Sequence, residues 1–247
     1  MPTAVPIRPI PVTTPTPTNG TSPGGSPGGT RGTTGPDSLR GTAGANLIFG
    51  LGGPDSILGL GADDSLYGGD GDDSLLGDVG NDLLFGGAGR DSVLGGVGDD
   101  TFYGGNGSDS MLGEDGNDLL FGQRDTDTLL GGAGNDTFFG GAGDDSLFGG
   151  IGDDCLSGDR GRDTLTGGTG NDTFAIGRLA DGDVITDFTD GIDQIRLTAG
   201  LTFGELTIST GAGTSPSTII QLTSTKETLA TLFGVARTSI SQADFIL

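Results

Sequence analysis

The 247-residue sequence contains no histidine and no tryptophan, one cysteine, two methionines and only 11 lysines and arginines. Without histidine there is no His-Glu-x-x-His zinc-peptidase helix, no Ser-His-Asp arrangement and no histidine-bearing zinc site. Cys155 alone permits no intramolecular disulfide and no dithiol chemistry within the chain. No apolar run approaches the roughly 18 residues that span a bilayer, so no membrane span is expected. The first twenty residues, MPTAVPIRPIPVTTPTPTNG, lack the apolar stretch of a secretory signal, and export is expected to use another address. The shortage of basic residues opposes binding to nucleic acid or anionic lipid, both of which demand positive patches. A carboxylate-pair glycosidase is the enzyme class left formally open. Each acid has a better explanation below, and the chain is read as a non-enzyme.

What the chain has in excess is glycine, 53 residues, and aspartate, which sets a net charge of −23. The acid is concentrated. Residues 32–175 carry −21, against +2 for 1–31 and −4 for 176–247. Those same residues are sixteen copies of a nine-residue unit without insertion or deletion, as in GGDGDDSLL (68–76), GGAGNDTFF (131–139) and GGAGDDSLF (140–148). Position one is glycine in all copies and position four in fourteen, with Ala62 and Asp125 as exceptions. Glycines at that spacing suit a backbone that turns sharply with positive φ. Position six is aspartate in fifteen copies, Asn46 being the exception, and position eight is apolar in all, from Leu39 to Phe174. Each copy therefore reads as a six-residue turn followed by a three-residue strand whose middle side chain points inward.

Two copies would complete one coil of 18 residues, and eight stacked coils would form a rod of roughly 38 Å. Its core is one side chain deep, too thin to offset the entropy of ordering so many glycines by apolar burial alone. Stacking also aligns the position-six carboxylates in columns: Asp55, Asp73, Asp91, Asp109, Asp127, Asp145 and Asp163 on one edge, and Asp64, Asp82, Asp100, Asp118, Asp136, Asp154 and Asp172 on the other. At about 5 Å spacing and an effective dielectric near 20, neighbours repel by about 3 kcal/mol. These aspartates, with Asp37 in the first copy, are the candidate ligands of hard cations. Calcium's six to eight flexible oxygen positions suit glycine turns better than magnesium's octahedron.

The unit matches G-G-x-G-x-D-x-U-x, with U apolar, and resembles the repeats-in-toxin (RTX, haemolysin-type) family. The resemblance implies an all-β fold, a right-handed parallel β-roll, with each calcium ion held between turns of successive coils by aspartate and carbonyl oxygens. Seven gaps on each of two edges then give at most about fourteen ions, with sites at Asn46 and Asp125 in doubt. The C-terminal stretch is similar to the family's D-x-I-x-D-F-x-x-G-x-D-x-I-x-L, here Asp183, Ile185, Asp187, Phe188, Gly191, Asp193, Ile195 and Leu197. Asp244-Phe245-Ile246-Leu247 resembles the ending of proteins exported by type I secretion machinery. Family members often couple such repeats to a protease, lipase or pore-forming domain; with 31 residues before the block and 72 after it, none is expected within this sequence.

Two ladders stand apart from the calcium chemistry. Position nine holds Phe49, Tyr67, Phe85, Tyr103, Phe121 and Phe139 in even copies and Leu58, Leu76, Leu94, Leu112 and Leu130 in odd ones. Both are expected to point outward, covering their own rungs or offering a surface for self-association or a cell surface. Residues 1–31, with eight prolines, are expected to be a disordered or extended arm. Residues 176–247 are expected to cap the last coil, with a hairpin turn at Asp190-Gly191 and a short helix or turn in KETLATLFGV (226–235). The expected function is that of a secreted calcium-binding repeat protein that folds on calcium after export, structural or surface-associated. The alternative is a stand-alone carrier or export module of a larger toxin or exoenzyme system.

Overall fold

The structure, a computed structural model, describes residues 29–211 and 216–246. The expected arm lies outside the described residues up to position 28, as does Leu247 of the export-like ending. Its last two residues already belong to the roll: Thr30–Arg31 is a strand paired in parallel with Ile48 and Phe49.

Through the repeats, successive strands alternate between two sheets, which number 11 and 12 strands in all. Leu47–Gly52 and Ser65–Asp70 lie in the smaller sheet, the aromatic face. Ser56–Gly61 and Ser74–Val79 lie in the larger one, the leucine face. Pairing within the repeats is parallel, and the register advances by 18 residues, so that Leu66 stands opposite Ile48 and Leu84. The fold is all-β, with no α-helix among the described residues and two single-turn 3-10 helices at Phe203–Glu205 and Gln242–Asp244. Every position-eight side chain from Leu39 to Phe174 is buried in one continuous core.

The strands are longer than the expected three residues. From Leu47–Gly52 to Thr164–Thr169 each runs over six, from position seven of one copy to position three of the next, leaving a three-residue turn. Pairing persists because position two takes a left-handed conformation, φ +116° at Gly69 and +120° at Gly87, which bends the strand without ending it. The expected roles of the glycines change accordingly. Positive φ falls at positions two and four, as at Gly71 (+132°), whereas position one is extended and needs glycine for space.

Beyond Ala175 the roll adds a ninth coil. Asp183–Ile185 pairs in parallel with the leucine face, and Gln194–Leu197 with the aromatic face. The hairpin expected at Asp190-Gly191 does not form, because Asp183-x-Ile185 and Asp193-x-Ile195 repeat the Asp-x-apolar spacing of positions six to eight and take its place in the coil. Nor is there a helix in 226–235. Thr228–Phe233 is a strand, parallel to Asp183–Ile185 and antiparallel to Ser217–Leu222, and it buries Leu229, Ala230 and Leu232. Pairing on both sides overrides a weak helical spacing. Leu206–Thr210 completes this antiparallel extension, and Phe245–Ile246 adds a last strand to the aromatic face.

Candidate metal centre

Each turn ends on a position-six aspartate whose backbone feeds the next strand, so the 18-residue register stacks these residues one coil apart. The two columns foreseen are present: Asp55 to Asp163 on the edge leading from the aromatic to the leucine face, Asp64 to Asp172 on the other. All fourteen of these aspartates are buried. Within a column, each carboxylate accepts the backbone N–H of the aspartate one coil before it. Asp55 N–H donates to Asp73 Oδ1 at 2.7 Å, Asp100 N–H to Asp118 Oδ1 at 2.8 Å, and Asp145 N–H to Asp163 Oδ1 at 2.8 Å. One oxygen of each pair is thereby satisfied by the chain.

The other is not. Oδ2 is buried and has no hydrogen-bond partner in Asp55, Asp64, Asp73, Asp82, Asp91, Asp100, Asp109, Asp118, Asp127, Asp136, Asp145, Asp154, Asp163 and Asp183. Buried polar atoms are seldom left unpartnered, and two files of orphaned carboxylate oxygens ask for a cation. The position-one glycines complete the niche. A β-carbon on Gly104 would stand 2.5 Å from Asp109 Oδ2 and 2.8 Å from the Gly122 carbonyl oxygen, and one on Gly122 would meet Asp127 Oδ2 and the Gly140 carbonyl, both at 2.5 Å. Carboxylate and carbonyl oxygens of successive coils thus converge where a side chain would sit. Among the described residues no three acidic, cysteine or histidine side chains cluster; each coil contributes one carboxylate to each column, and carbonyls supply further oxygens. An all-oxygen donor set of this kind fits calcium.

Burial raises the carboxyl pKa values, partly offset by the backbone N–H each accepts. Asp127 is pushed up to about 8, and Asp73, Asp100, Asp118 and Asp154 to about 7, with neighbouring aspartates adding to the rise. The columns hold their protons more tightly than free aspartates do.

The ends of the columns depart from the pattern. Asp37 is half-buried, and its Oδ2 accepts Thr33 N–H at 2.6 Å and Thr33 Oγ1–H at 2.9 Å. Asn46 donates Nδ2–H to Asp64 Oδ1 at 2.7 Å and to the Gly44 carbonyl. Asp125, at a glycine position, is exposed with φ +69°, and the column beneath it is intact at Asp127. Two aspartates absent from the candidate ligands extend the files: Asp163 N–H donates to Asp183 Oδ1 at 3.1 Å and Asp172 N–H to Asp193 Oδ1 at 3.0 Å. Their signal was the Asp-x-Ile spacing, masked by offsets of 20 and 21 residues instead of 18. Asp193 Oδ2 already accepts Thr189 N–H, whereas Asp183 Oδ2 is orphaned.

A profile of the RTX calcium-binding nonapeptide repeat matches residues 31–66, 49–84, 58–93, 85–120, 121–156 and 148–181, about three fifths of the chain. The chain belongs to the RTX repeat family. Calcium binding is the property of these repeats, and the buried RTX columns agree with it. Among solved structures, the chain is similar to the AlgE6R3 subunit of the Azotobacter vinelandii mannuronan C5-epimerase, 29% identical over 49% of this chain and 78% of that one, with a TM-score of 0.41. It is also similar to the extracellular lipase LipA of Serratia marcescens, 19% identical over 87% of this chain and 39% of the lipase, TM-score 0.29. The chain thus spans about two fifths of the lipase. No curated protein matches it.

Proposed function

We propose that this RTX chain is an extracellular calcium-binding protein, structural or surface-associated, that is exported unfolded through type I machinery and folds on calcium outside the cell. The observation that carries the proposal is the two files of buried, unpartnered Oδ2 atoms. Bound calcium would neutralise those carboxylates and tie each coil to the next. The ligands are the position-six aspartates, with the fully developed niches from Asp55 and Asp64 onward, and the sites number at most about fourteen.

The chain's own residues supply the rest of the switch. Position-one glycines keep the niche open, backbone N–H groups hold each Oδ1, and Asp187 accepts Gly167 N–H at 3.0 Å and Gly168 N–H at 2.8 Å to fasten the ninth coil. Cations that bind only the folded roll add their binding energy to folding. Cytosolic calcium is too scarce to fill extracellular-type sites of roughly 10⁻⁴–10⁻³ M affinity. Within the folded roll, the export-like ending is occupied: Phe245–Ile246 is paired as a strand, and Asp244 Oδ2 accepts Ser241 N–H at 2.7 Å. This favours recognition of the ending before folding.

The test is far-UV circular dichroism of the full chain during a calcium titration, with magnesium as control. A cooperative coil-to-β transition near millimolar calcium, absent with magnesium, is expected. A β-rich spectrum in excess chelator at pH 8 would overturn the switch.

A further inference from the structure

A groove runs along the corner where the aromatic-face strands enter the edge that carries Asp55 to Asp163. Its floor is the position-two column, in which Gly87, Gly105, Gln123, Gly141 and Asp159 stand in register. The three glycines leave the floor bare between coils. One wall is the aromatic ladder. The other is position three, where Asn106, Arg124, Ala142 and Arg160 follow one another. Two cavities open along it. The first, about 530 Å³, is lined by Phe85, Tyr103, Asn106, Gln123 and Arg124 among others; in the second, about 390 Å³, Gly141, Asp159 and Arg160 are faced by Arg178, Leu179, Thr198 and Ala199 from beyond the repeats instead of by the ladder.

The charges in this groove are available. Arg124 and Arg160 are exposed and make no ion pair among the described residues, whereas Arg90 is paired with Asp72 and Arg178 with Glu205. Two coils separate the free guanidinium groups, about 10 Å along the axis. Asp159, in the floor of the second cavity, is engaged by Ser157 Oγ–H at 2.7 Å. Asn106 and Gln123 add amide donors and acceptors between the arginines.

The ladder narrows the choice of occupant. Its rings stack with centroids 4.7–5.1 Å apart, so their faces cover one another and present only edges to the groove. Only Phe139, whose next rung is Ser157, has a face uncovered at this end. Neutral sugars or nucleobases, which rely on open ring faces, find little to stack on. A ligand held here must be linear, because the groove repeats by translation, rich in hydroxyl groups for the amides, and negative for the arginines. We propose that this groove binds a linear acidic polysaccharide. The inference rests on the calcium reading in one respect: at full occupancy about fourteen divalent ions outweigh the −21 of the repeat block, removing the field that would repel a polyanion.

The experiment uses the full chain in excess free calcium, with oligogalacturonates of defined length as the probe. An α-1,4-glucan of equal length and polyglutamate serve as comparisons. Tyr67 and Tyr103 are the only tyrosines and tryptophan is absent, so intrinsic emission reads the ladder directly. Saturable binding of the uronate is expected, weakened on the order of tenfold in the Arg124→Ala/Arg160→Ala double variant, as for loss of charge-assisted hydrogen bonds. Arg40→Ala, on the leucine face, is expected to bind as the parent does. Equal binding by the double variant would mean capture through bound calcium and would overturn the proposal, as would equal binding of the glucan or of polyglutamate. Circular dichroism of the same samples separates the two readings. A calcium-independent fold sinks the switch and leaves the groove to be judged by the arginine variants.

Discussion

Position one of the repeat is glycine for space, and position two is where the backbone is strained. In Gly95 a β-carbon would press on Asp100 and come within 2.7 Å of Phe102 Cζ. Gly95→Ala is therefore expected to destabilise the calcium-loaded roll by about 1–3 kcal/mol, as other overpacking substitutions do, and to weaken calcium binding by crowding the niche. Chemical denaturation at fixed calcium measures the first effect; an unchanged midpoint would contradict it. The reverse holds at position two, where Glu114 sits exposed at φ +80°. Glu114→Gly is expected to stabilise the roll by about 1 kcal/mol by removing a left-handed non-glycine residue, with a higher melting temperature as the readout.

At the level of the stacked column, protons and backbone geometry act together. Burial raises the aspartate pKa values of the calcium-free roll to about 6 at Asp91 and Asp109 and to about 8 at Asp127, above the roughly 3.9 of an unfolded chain. Raised carboxyl values stabilise the fold fully below the unfolded pKa, and that contribution is lost as pH climbs through the folded values. In chelator the chain is thus expected to be more β-structured at pH 5 than at pH 8. Identical circular dichroism at both pH values would count against charged burial as the destabilising force. On the outer surface a second file runs the other way: Asn81 N–H donates to Asp63 Oδ1, Asp99 N–H to Asn81 Oδ1 and Asn117 N–H to Asp99 Oδ1. Being exposed, it stitches the turns without adding buried charge. The aromatic ladder belongs to this level too. Phe85→Ser removes two stacked contacts, at 4.7 Å to Tyr67 and to Tyr103, and is expected to cost about 1–3 kcal/mol without moving the calcium midpoint per site. A large shift in calcium affinity would show that ladder and columns are coupled.

Across the whole molecule, a solenoid is sound only if its open end is covered. Residues 198–211 and 216–246 do this with the antiparallel strands and the closing strand Phe245–Ile246, burying Leu201, Ile220, Leu222, Leu229, Leu232 and Ile240. Deleting 198–247 is expected to leave the ninth coil's core residues Ile185 and Ile195 open to water and to produce calcium-dependent aggregation, read by sedimentation. A monomeric truncated chain with an unchanged transition would show that the cap is dispensable. Much of this architecture was legible beforehand. The unbroken nine-residue phase fixes which side chain faces inward, since every position eight from Leu39 to Phe174 is apolar and a one-residue slip would turn the whole set outward, and the alternation of aromatic and leucine at position nine carries the 18-residue period of the coil. The same phase dictates the two aspartate columns and the two outward ladders. Strand length, by contrast, depended on position two, where glycine and residues such as Leu51 and Gln123 share one left-handed conformation that composition does not reveal. The ninth coil was hidden by irregular loop lengths, and the strand at Thr228–Phe233 by a spacing that suits a helix as well. There the decision came from what lay alongside: an open sheet edge at Asp183–Ile185 offered hydrogen bonds and a core to a segment with only a weak preference of its own. Local repetition fixed the roll because each copy presents the same inward residue and the same turn. Its closure was fixed only by tertiary pairing, because no local signal outweighs the burial of an exposed solenoid end.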